Sequence, residues 1–472
     1  MLFLKFRGLL SLKPIRKDFI LTIRLLLIVI LYCLRLCFCR VVFIFLIAGL
    51  NRHINGICFF NPGIYKHKFM KEVIEMKKST RIFALILALM LTVACFAGCS
   101  GKSGDSNAAI KIGGIGPLTG AAAIYGQAVQ HGAEIAIEEV NEKDGPKFEL
   151  KFEDDENDAE KSVNAYNKLK DWGMQISLGS VTTQPCIAVS TETFSDRIFT
   201  LTPSASSTDV LGGLPDKDGN VSIPRKDNVF QMCFTDPNQG VASAQYIKDQ
   251  NLGTKIAVIY NNSDAYSTGI YQKFSSEAEK LGLDIVSVKT FTDDSANNFT
   301  SQLNEAKDAG ADLLFLPIYY TPASLILSQA DKMQYKPKIF SVDGMDGILT
   351  LDNFDTSLAE DVMLLTPFTA DATDDLTTNF VTKYKEKYNE VPNQFAADAY
   401  DCVYAIYNAV KNQSITADMS TSDICEKMIS AFTDSSFRLD GLTGKDMTWS
   451  TTGEVSKGPK GMVIKNGVYV GM

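Results

Sequence analysis

The feature that most restricts the fold is an alternation of short apolar runs with longer stretches of helical periodicity, and this alternation occurs twice. The first set includes the apolar runs 110–115 and 176–178, and the second begins near 229–234 and includes 255–260 and 312–317. Strands that alternate with helices predict a parallel sheet with right-handed crossovers. We therefore predict an α/β fold with two similar Rossmann-like lobes.

The last third of the chain adds three predicted helices, at 373–388, 394–412 and 419–432, and a closing hairpin around Asn466-Gly467. Asn-Gly between two apolar runs is a strong hairpin signal. The extra helices are expected to complete the first lobe if the chain crosses back between the lobes.

Two clusters of hydroxyl residues follow successive predicted strands within residues 179–208. In open α/β sheets, ligands bind beyond the carboxyl ends of the strands. These loops and a helix starting near Gln184 are suited to a small anion or carboxylate. The alternative is that they are ordinary loop and cap residues. The clusters are Ser180, Thr182 and Thr183, then Thr202, Ser204, Ser206 and Ser207.

The charge of the chain argues against a nucleic-acid partner. The sequence has 46 basic and 55 acidic residues, a net charge of −9, and many of the basic residues lie in the first hundred positions. The remainder is therefore strongly acidic, whereas nucleic-acid binding favours basic surfaces.

Signals for an enzyme are missing from the sequence. It contains no H-E-x-x-H, G-x-S-x-G or P-loop motif, and Gly114-Ile115-Gly116 lacks the third glycine of a dinucleotide fingerprint. His131 is interpreted as a packing or surface residue, and the acidic run 153–156 as a solvated loop. We expect no catalytic site, no metal and no cofactor.

Residues 76–99 have the pattern of a secretory signal peptide, with a basic start, an apolar run and small residues before Cys99. The end resembles a bacterial lipobox, although Phe96 replaces the usual leucine, so we expect Cys99 to be lipidated. A flexible tether follows at 100–108. Residues 1–75 are either a mis-assigned extension or an extra hydrophobic membrane segment.

The four cysteines after Cys99 are widely spaced and have no C-x-x-C metal pattern. They are expected to be small buried apolar residues, and a bridge between the first two is left open. The four are Cys186, Cys233, Cys402 and Cys425.

From about Ile110 to the end, the chain resembles the solute-binding proteins of ABC importers for branched-chain amino acids, the Leu/Ile/Val-binding type. The resemblance implies the type I periplasmic binding protein fold, with three hinge crossings and the ligand between the lobes. It rests on IKIGGIGPLTGAAAIYGQAVQHGAEIAIEEVN, GSVTTQP, LTPSASS, VFQMCFTDPNQG, the loop 261–266, VDG at 342–344 and FAADAYDCVYAIYNAV.

The resemblance also implies the lobe boundaries. Lobe 1 is expected to contain 109–236 and 368–445, and lobe 2 to contain 237–367 and 446–472. The three crossings are expected near 235–239, 366–369 and 440–450.

The resemblance implies a role for each of three hydroxyl residues. Thr183 matches the residue that binds the ligand carboxylate, and Ser204 matches a position whose carbonyl contacts the ammonium. Ser206 matches a hydroxyl that contacts both ends of an amino acid.

For the opposing side, Tyr266 matches a tyrosine that closes over the ligand, and Asp343 matches the counter-charge of the ammonium. Tyr125 is expected to face the ligand side chain, and Tyr319 or Tyr320 to add a wall. The alternatives are that the tyrosines are ordinary half-buried aromatics and that Asp343 only forms a turn.

The resemblance thus predicts a lipid-anchored, extracytoplasmic binding protein on the outer face of the cytoplasmic membrane. It would act as a monomer and deliver an amino acid, branched-chain or otherwise apolar, to an ABC permease. The alternatives within this fold are binding of an amide, urea or aromatic acid, and a sensory receptor module.

Overall fold

Two β-sheets organise the chain in the computed structural model, which describes residues 108–213 and 220–472. The first sheet has five strands in the order β2-β1-β3-β4-β5, and all its pairings are parallel. Its strands are β1 (Ile110–Gly116), β2 (Phe148–Asp154), β3 (Ile176–Ser180), β4 (Phe199–Thr202) and β5 (Val229–Gln231).

Three helices connect the strands of the first sheet: α1 (Ala123–Glu142), α2 (Ala159–Trp172) and α3 (Thr183–Asp196). The ends of α2 show how local sequence sets such bounds. The Asp158 carboxylate caps the first turn by accepting from Lys161 N, and Gly173 ends the helix at a φ of 94°.

The second sheet has seven strands in the order β12-β11-β10-β9-β8-β6-β7. Strands β10, β11 and β12 pair antiparallel, and the other pairs are parallel. The strands are β6 (Ile256–Asn261), β7 (Ile285–Phe291), β8 (Leu313–Leu316), β9 (Lys338–Ser341), β10 (Met363–Thr366), β11 (Lys460–Lys465) and β12 (Val468–Gly471). Its helices are α4 (Asp236–Asp249), α5 (Ala265–Leu281), α6 (Thr300–Asp308) and α7 (Tyr320–Lys332).

The last three helices are α8 (Asp375–Tyr388), α9 (Gln394–Asn412) and α10 (Thr421–Phe432). Helix α9 packs directly along α1. At their closest approach a Cβ on Gly132 would lie 2.0 Å from the carbonyl oxygen of Ala396, so only glycine fits there. Helix α9 therefore packs beside the first sheet, and its assignment to the first lobe remains a prediction.

The two-lobed α/β prediction is confirmed, and α9 has the predicted bounds. Strand β5 is shorter than predicted, because it ends at Gln231 and not at Phe234. Met232 N still donates to Thr202 O, after which the chain leaves the sheet and enters α4 at Asp236.

The third crossing between the lobes was predicted near 440–450. However, the indole Nε1 of Trp449 donates to Gln231 O at 2.9 Å, and Gln231 N donates to Gly453 O at 2.9 Å. Residues 449–453 therefore contact the first sheet, whereas Lys460 begins a strand of the second. The lobe boundaries remain predictions, and these contacts favour a crossing between Val455 and Lys460.

A buried ion pair anchors the segment in which this crossing is expected. The Lys457 ammonium donates to the Asp398 carboxylate of α9 and, at 2.7 Å, to the Thr443 hydroxyl. Both charged side chains are 3% exposed. Burial raises the pKa of Asp398 to about 7, although the Lys457 charge acts in the opposite direction.

In the segment 211–228, residues 214–219 lie outside the described residues. Gly213 N donates to Ile223 O and Lys226 N donates to Leu211 O, so its two arms are paired. Lys226 is buried and donates to Ser190 Oγ, so this end of the segment belongs to the lobe interior.

The four described cysteines are all free and buried, which excludes the bridge between Cys186 and Cys233 in this structure. Burial raises the pKa of the Cys186 thiol to about 11. The cysteines therefore act as small apolar residues.

Within residues 108–213 and 220–472, no helix combines the length and apolarity needed to cross a membrane.

Candidate functional site

A small cavity forms where loops at the carboxyl ends of strands in both sheets meet. Its enclosed space is about 10 Å³, room for about one water molecule. Both lobes contribute, so the lobes are closed against each other. The lining residues are Tyr125, Val181, Thr182, Thr183, Ser204, Tyr266, Tyr319, Asp343, Gly344 and Phe395.

Several hydroxyls of the two sequence clusters have structural partners. The Ser180 and Ser162 hydroxyls bond at 2.8 Å, Thr202 Oγ1 donates to Ser180 O at 2.8 Å, and Ser204 Oγ donates to Val181 O at 2.6 Å. The first bond ties α2 to β3, and the other two tie the end of β4 and the loop after it to the end of β3 and the loop after it. For these hydroxyls, a loop-fixing role is the one that the geometry supports.

Three other hydroxyl residues of the clusters have a different environment. Thr182 Oγ1 and Ser206 Oγ are buried without a hydrogen-bond partner in the described chain. Thr183 begins α3 and lines the cavity. The first N–H groups of a helix have no partner within it and favour negative charge. This side of the cavity therefore suits a carboxylate or another small anion.

Opposite these hydroxyls lies the carboxylate of Asp343, which is 4% exposed. Its Oδ1 accepts from the Tyr266 hydroxyl at 2.6 Å, and the same hydroxyl accepts from Gly344 N at 2.9 Å. Gln239 Oε1 accepts from Asp343 N at 3.1 Å. These partners are all neutral. Burial raises the pKa of Asp343 to about 6, which the hydrogen bonds only partly offset.

Aromatic side chains form the walls. The Tyr125 ring lies 5.3 Å from Tyr319 and 4.5 Å from Phe395, measured between centroids, and Tyr319 stacks on Tyr266 at 5.0 Å. The Tyr125 hydroxyl donates to Gly344 O and accepts from Tyr320 N at 3.2 Å. Tyr125 therefore joins α1 of the first lobe to two loops of the second.

The structure brings six of the eight predicted ligand residues to the cavity wall: Tyr125, Thr183, Ser204, Tyr266, Tyr319 and Asp343. Ser206 and Tyr320 are buried beside it but are not part of that wall. Between Tyr319 and Tyr320, left open by the sequence, the structure places Tyr319 at the cavity. The Tyr320 hydroxyl instead accepts from Ile124 N at 3.1 Å.

Sequence reasoning missed three residues. Thr182 belongs to the first hydroxyl cluster and could have been found from that pattern. Phe395 lies in the first turn of α9, far along the chain, so only the tertiary structure brings it to the cavity. Asp236 follows β5, and neither of its buried carboxyl oxygens has a hydrogen-bond partner in the described chain. Burial raises its pKa well above the usual range.

Asp236 is close to Ser206, because Asp236 N donates to Ser206 O at 3.0 Å. The Ser206 hydroxyl therefore lies beside the Asp236 carboxyl group, and their interaction partly offsets the effect of burial on the pKa of Asp236. Asp236 could have been found from the sequence, because in VFQMCFTDPNQG it stands between the end of a predicted strand and the start of a predicted helix.

His131 and the acidic run 153–156, to which the sequence assigned no functional role, do not line the cavity. His131 stacks on Tyr388 at a centroid distance of 3.7 Å, and burial lowers its pKa. The solvated-loop interpretation is wrong for Asp155, which is buried, and its N–H donates to Gly116 O at the end of β1. Among the described residues, no group of three or more His, Cys, Asp and Glu is placed to hold a metal ion.

The model of one protein family, described as periplasmic binding protein, matches residues 109–460. Among curated proteins, Leu/Ile/Val-binding protein homolog 3 of Brucella melitensis is 29% identical over 260 residues, which cover 54% of this chain and 67% of that one. The Leu/Ile/Val-binding protein BraC3 of Rhizobium johnstonii is 28% identical over 51% of this chain and 63% of its own. The matches thus span about two thirds of these relatives.

Solved structures share the fold. A leucine-binding protein LivK of Thermotoga maritima superimposes with a TM-score of 0.67 at 24% identity, covering 77% of this chain and 97% of that one. LivJ of Streptococcus pneumoniae, solved with isoleucine, gives 0.66 at 24% identity, with coverages of 77% and 98%. A solute-binding protein of R. palustris, solved with benzoate, gives 0.66 at 17% identity, with coverages of 77% and 96%.

Proposed function

This chain belongs to the periplasmic binding protein family, and from that premise we propose that it captures a small α-amino acid between its two lobes. The family and its relatives are extracytoplasmic solute-binding proteins of ABC transport and are not enzymes. Delivery to the membrane subunits of an ABC permease, by a monomer, is part of the proposal.

The observation that carries the proposal is the buried Asp343 carboxylate, which faces neutral partners in the cavity. Burying a carboxylate without a cation is costly, so a cationic ligand group there is favoured. Across the cavity, Thr183 and the start of α3 suit an anion. A zwitterion supplies both charges in one molecule, and the tyrosines and Phe395 suit an apolar side chain.

The second candidate is an aromatic acid, because a structural neighbour was solved with benzoate. Such a ligand has a carboxylate and an aromatic ring but no cation. In this cavity it would leave Asp343 buried without a counter-charge. The same argument disfavours urea and uncharged amides, so the amino acid remains the better fit.

The cavity of about 10 Å³ is far smaller than an amino acid. Entry of a ligand therefore requires the lobes to separate or the aromatic walls to shift. Closure around the ligand would then exclude water and strengthen its charged contacts. This cycle of opening and closing is the proposed binding mechanism.

The first expected result concerns ligand choice, tested with residues 100–472 in a thermal-shift screen. An amino acid at about 100 times its dissociation constant should stabilise the protein by about 2.7 kcal/mol. Leucine, isoleucine, valine and alanine form the test set, with benzoate, urea and the decarboxylated analogue of leucine as controls. A response to benzoate with none to the amino acids would reject the proposal.

We also propose that Cys99, outside the described residues, carries a lipid that holds the protein at the outer face of the cytoplasmic membrane. The small residues before it and the polar segment after it support this. Cys99→Ala should move the exported protein from the membrane fraction to the soluble fraction. Cys95→Ala is the matched control and should stay with the membrane. A Cys99→Ala protein that remains membrane-bound would refute lipid anchoring.

A further inference from the structure

Helix α9 belongs to the first lobe but its first residue bonds to the second. Gln394 is 2% exposed, and its backbone N–H donates to Asp346 Oδ2 at 2.9 Å. Its side-chain Nε2 donates to Asp343 O at 3.0 Å. Asp343 and Asp346 both lie in the loop after β9 of the second sheet. One residue therefore makes two hydrogen bonds across the cleft.

The start of α9 is capped from two sides. The Asn393 side chain accepts from Phe395 N and Ala396 N, which is a cap within the helix's own lobe. The N–H of Gln394 is bonded by the Asp346 carboxylate, from the opposite lobe. A negative group is stabilised at a helix N-terminus, so this contact favours the closed arrangement.

Both ends of this contact are held firmly within their lobes. Helix α9 is fixed to α1 by the close approach of Ala396 to Gly132. The loop of Asp346 is fixed by the bonds of Met345 N to Val342 O and of Asp346 N to Asp343 O. Opening the lobes therefore has to break the contact, because neither end can follow the other.

Neither Gln394 nor Asp346 lines the cavity, although each has a neighbour that does. Phe395 follows Gln394, and Asp343 both precedes Asp346 and accepts from the Gln394 side chain. The contact therefore needs no ligand atom, yet it sets the distance between two walls of the site.

We propose that Gln394 and Asp346 form a clasp that stabilises the closed lobes independently of ligand and positions Phe395 against Asp343. The clasp rests on the proposed function in one respect only: closure of the two lobes is taken to be the step that binds the ligand. The clasp sets how long the cleft stays closed, and so how slowly a captured solute leaves.

The test measures closure without ligand, so it does not depend on which solute binds. Spin labels at Lys332→Cys on α7 and Glu386→Cys on α8, both exposed in opposite lobes, report the distance between lobes. The native cysteines after Cys99 are buried and should stay unlabelled. In the protein that carries only these two labels, pulsed electron paramagnetic resonance without ligand should show a population with the short distance expected of closed lobes.

Asp346→Ala should reduce the closed-to-open ratio by about tenfold or more, the scale of losing a hydrogen bond to a charged group. Gln394→Ala keeps the backbone N–H that donates to Asp346 and removes only the side-chain bond to Asp343 O, so its reduction should be about two- to tenfold. Asp346→Asn keeps the size and one acceptor, and should give a smaller reduction. Asp355→Ala is the matched control, because Asp355 caps Ser357 N within one lobe only. It should leave the distances unchanged.

Distances unchanged in Gln394→Ala and Asp346→Ala would overturn the clasp, and so would an unsubstituted protein that shows only the open population. Equal unfolding midpoints for these variants and for Asp355→Ala would show that the shift is not general destabilisation. Failure of the amino-acid screen leaves these distances valid, so the clasp and the proposed function fail separately.

Discussion

Asp343→Ala is expected to weaken amino-acid binding by about 2–5 kcal/mol, the range for removing one member of a buried charge pair. The ligand ammonium would then be buried among the Tyr266 hydroxyl and aromatic walls, with no carboxylate to compensate its lost hydration. At about 1.4 kcal/mol per factor of ten, the dissociation constant rises roughly 30-fold to several thousand-fold. Isothermal titration calorimetry measures the change.

Asp343→Asn separates charge from shape, because it keeps the volume and an acceptor for Tyr266. It should lose most of the affinity that the alanine variant loses. Tyr266→Phe removes the hydroxyl but leaves the charge, so its effect should be smaller. An Asp343→Asn protein that binds as tightly as the unsubstituted one would exclude the ammonium role.

Acidification should have the same effect as Asp343→Asn. The pKa of Asp343 is raised to about 6, so the carboxylate is ionised above pH 6 and becomes neutral below it. A cationic ligand prefers the ionised form, so affinity should fall roughly tenfold per pH unit below about 6. Asp346 has a pKa of about 6 as well, so Asp346→Asn is the control that should retain this dependence.

Lys457→Ala is expected to lower the free energy of unfolding by about 3–5 kcal/mol, because it leaves Asp398 buried without its partner. The Thr443 hydroxyl would remain nearby but carries no charge to replace the ammonium. Urea unfolding measures the lost stability: the midpoint urea concentration should fall while the m-value stays constant.

Two further variants make that result specific. Lys460→Ala removes an exposed lysine three positions away and should change stability by less than about 0.5 kcal/mol. The pair Lys457→Met with Asp398→Leu replaces both charges by apolar groups and should recover most of the loss. If the single and double variants unfold alike, the cost arises from packing and not from the unpaired charge.

The sequence was sufficient for the alternation of strands and helices, because apolar periodicity is a local property. It also located Thr183, since this residue follows a strand and parallel strands present their carboxyl ends at one edge, whereas Asp343 was identified from the family resemblance. The same rule would have found Asp236, which follows β5.

The features that could not be predicted from the sequence depend on contacts between segments that are distant in the chain. Phe395 reaches the cavity only because α9 packs on α1, which no local pattern encodes. Asp155 is buried although it stands in an acidic run, and its backbone N–H bonds to the end of β1. The sequence also could not distinguish the roles of Ser204 and Ser206. The Ser204 hydroxyl donates to Val181 O and fixes a loop, whereas the Ser206 hydroxyl makes no regular hydrogen bond within the described chain.

The packing of α9 on α1 has a consequence for the order in which the chain folds. These helices are separated in sequence by most of the second lobe, so the first lobe has a high contact order. During synthesis the core of α1 stays incomplete until residues beyond Asn393 have emerged, whereas most of the second lobe is already available. Such late completion suits a chain that crosses a membrane before it folds, as the proposed export requires.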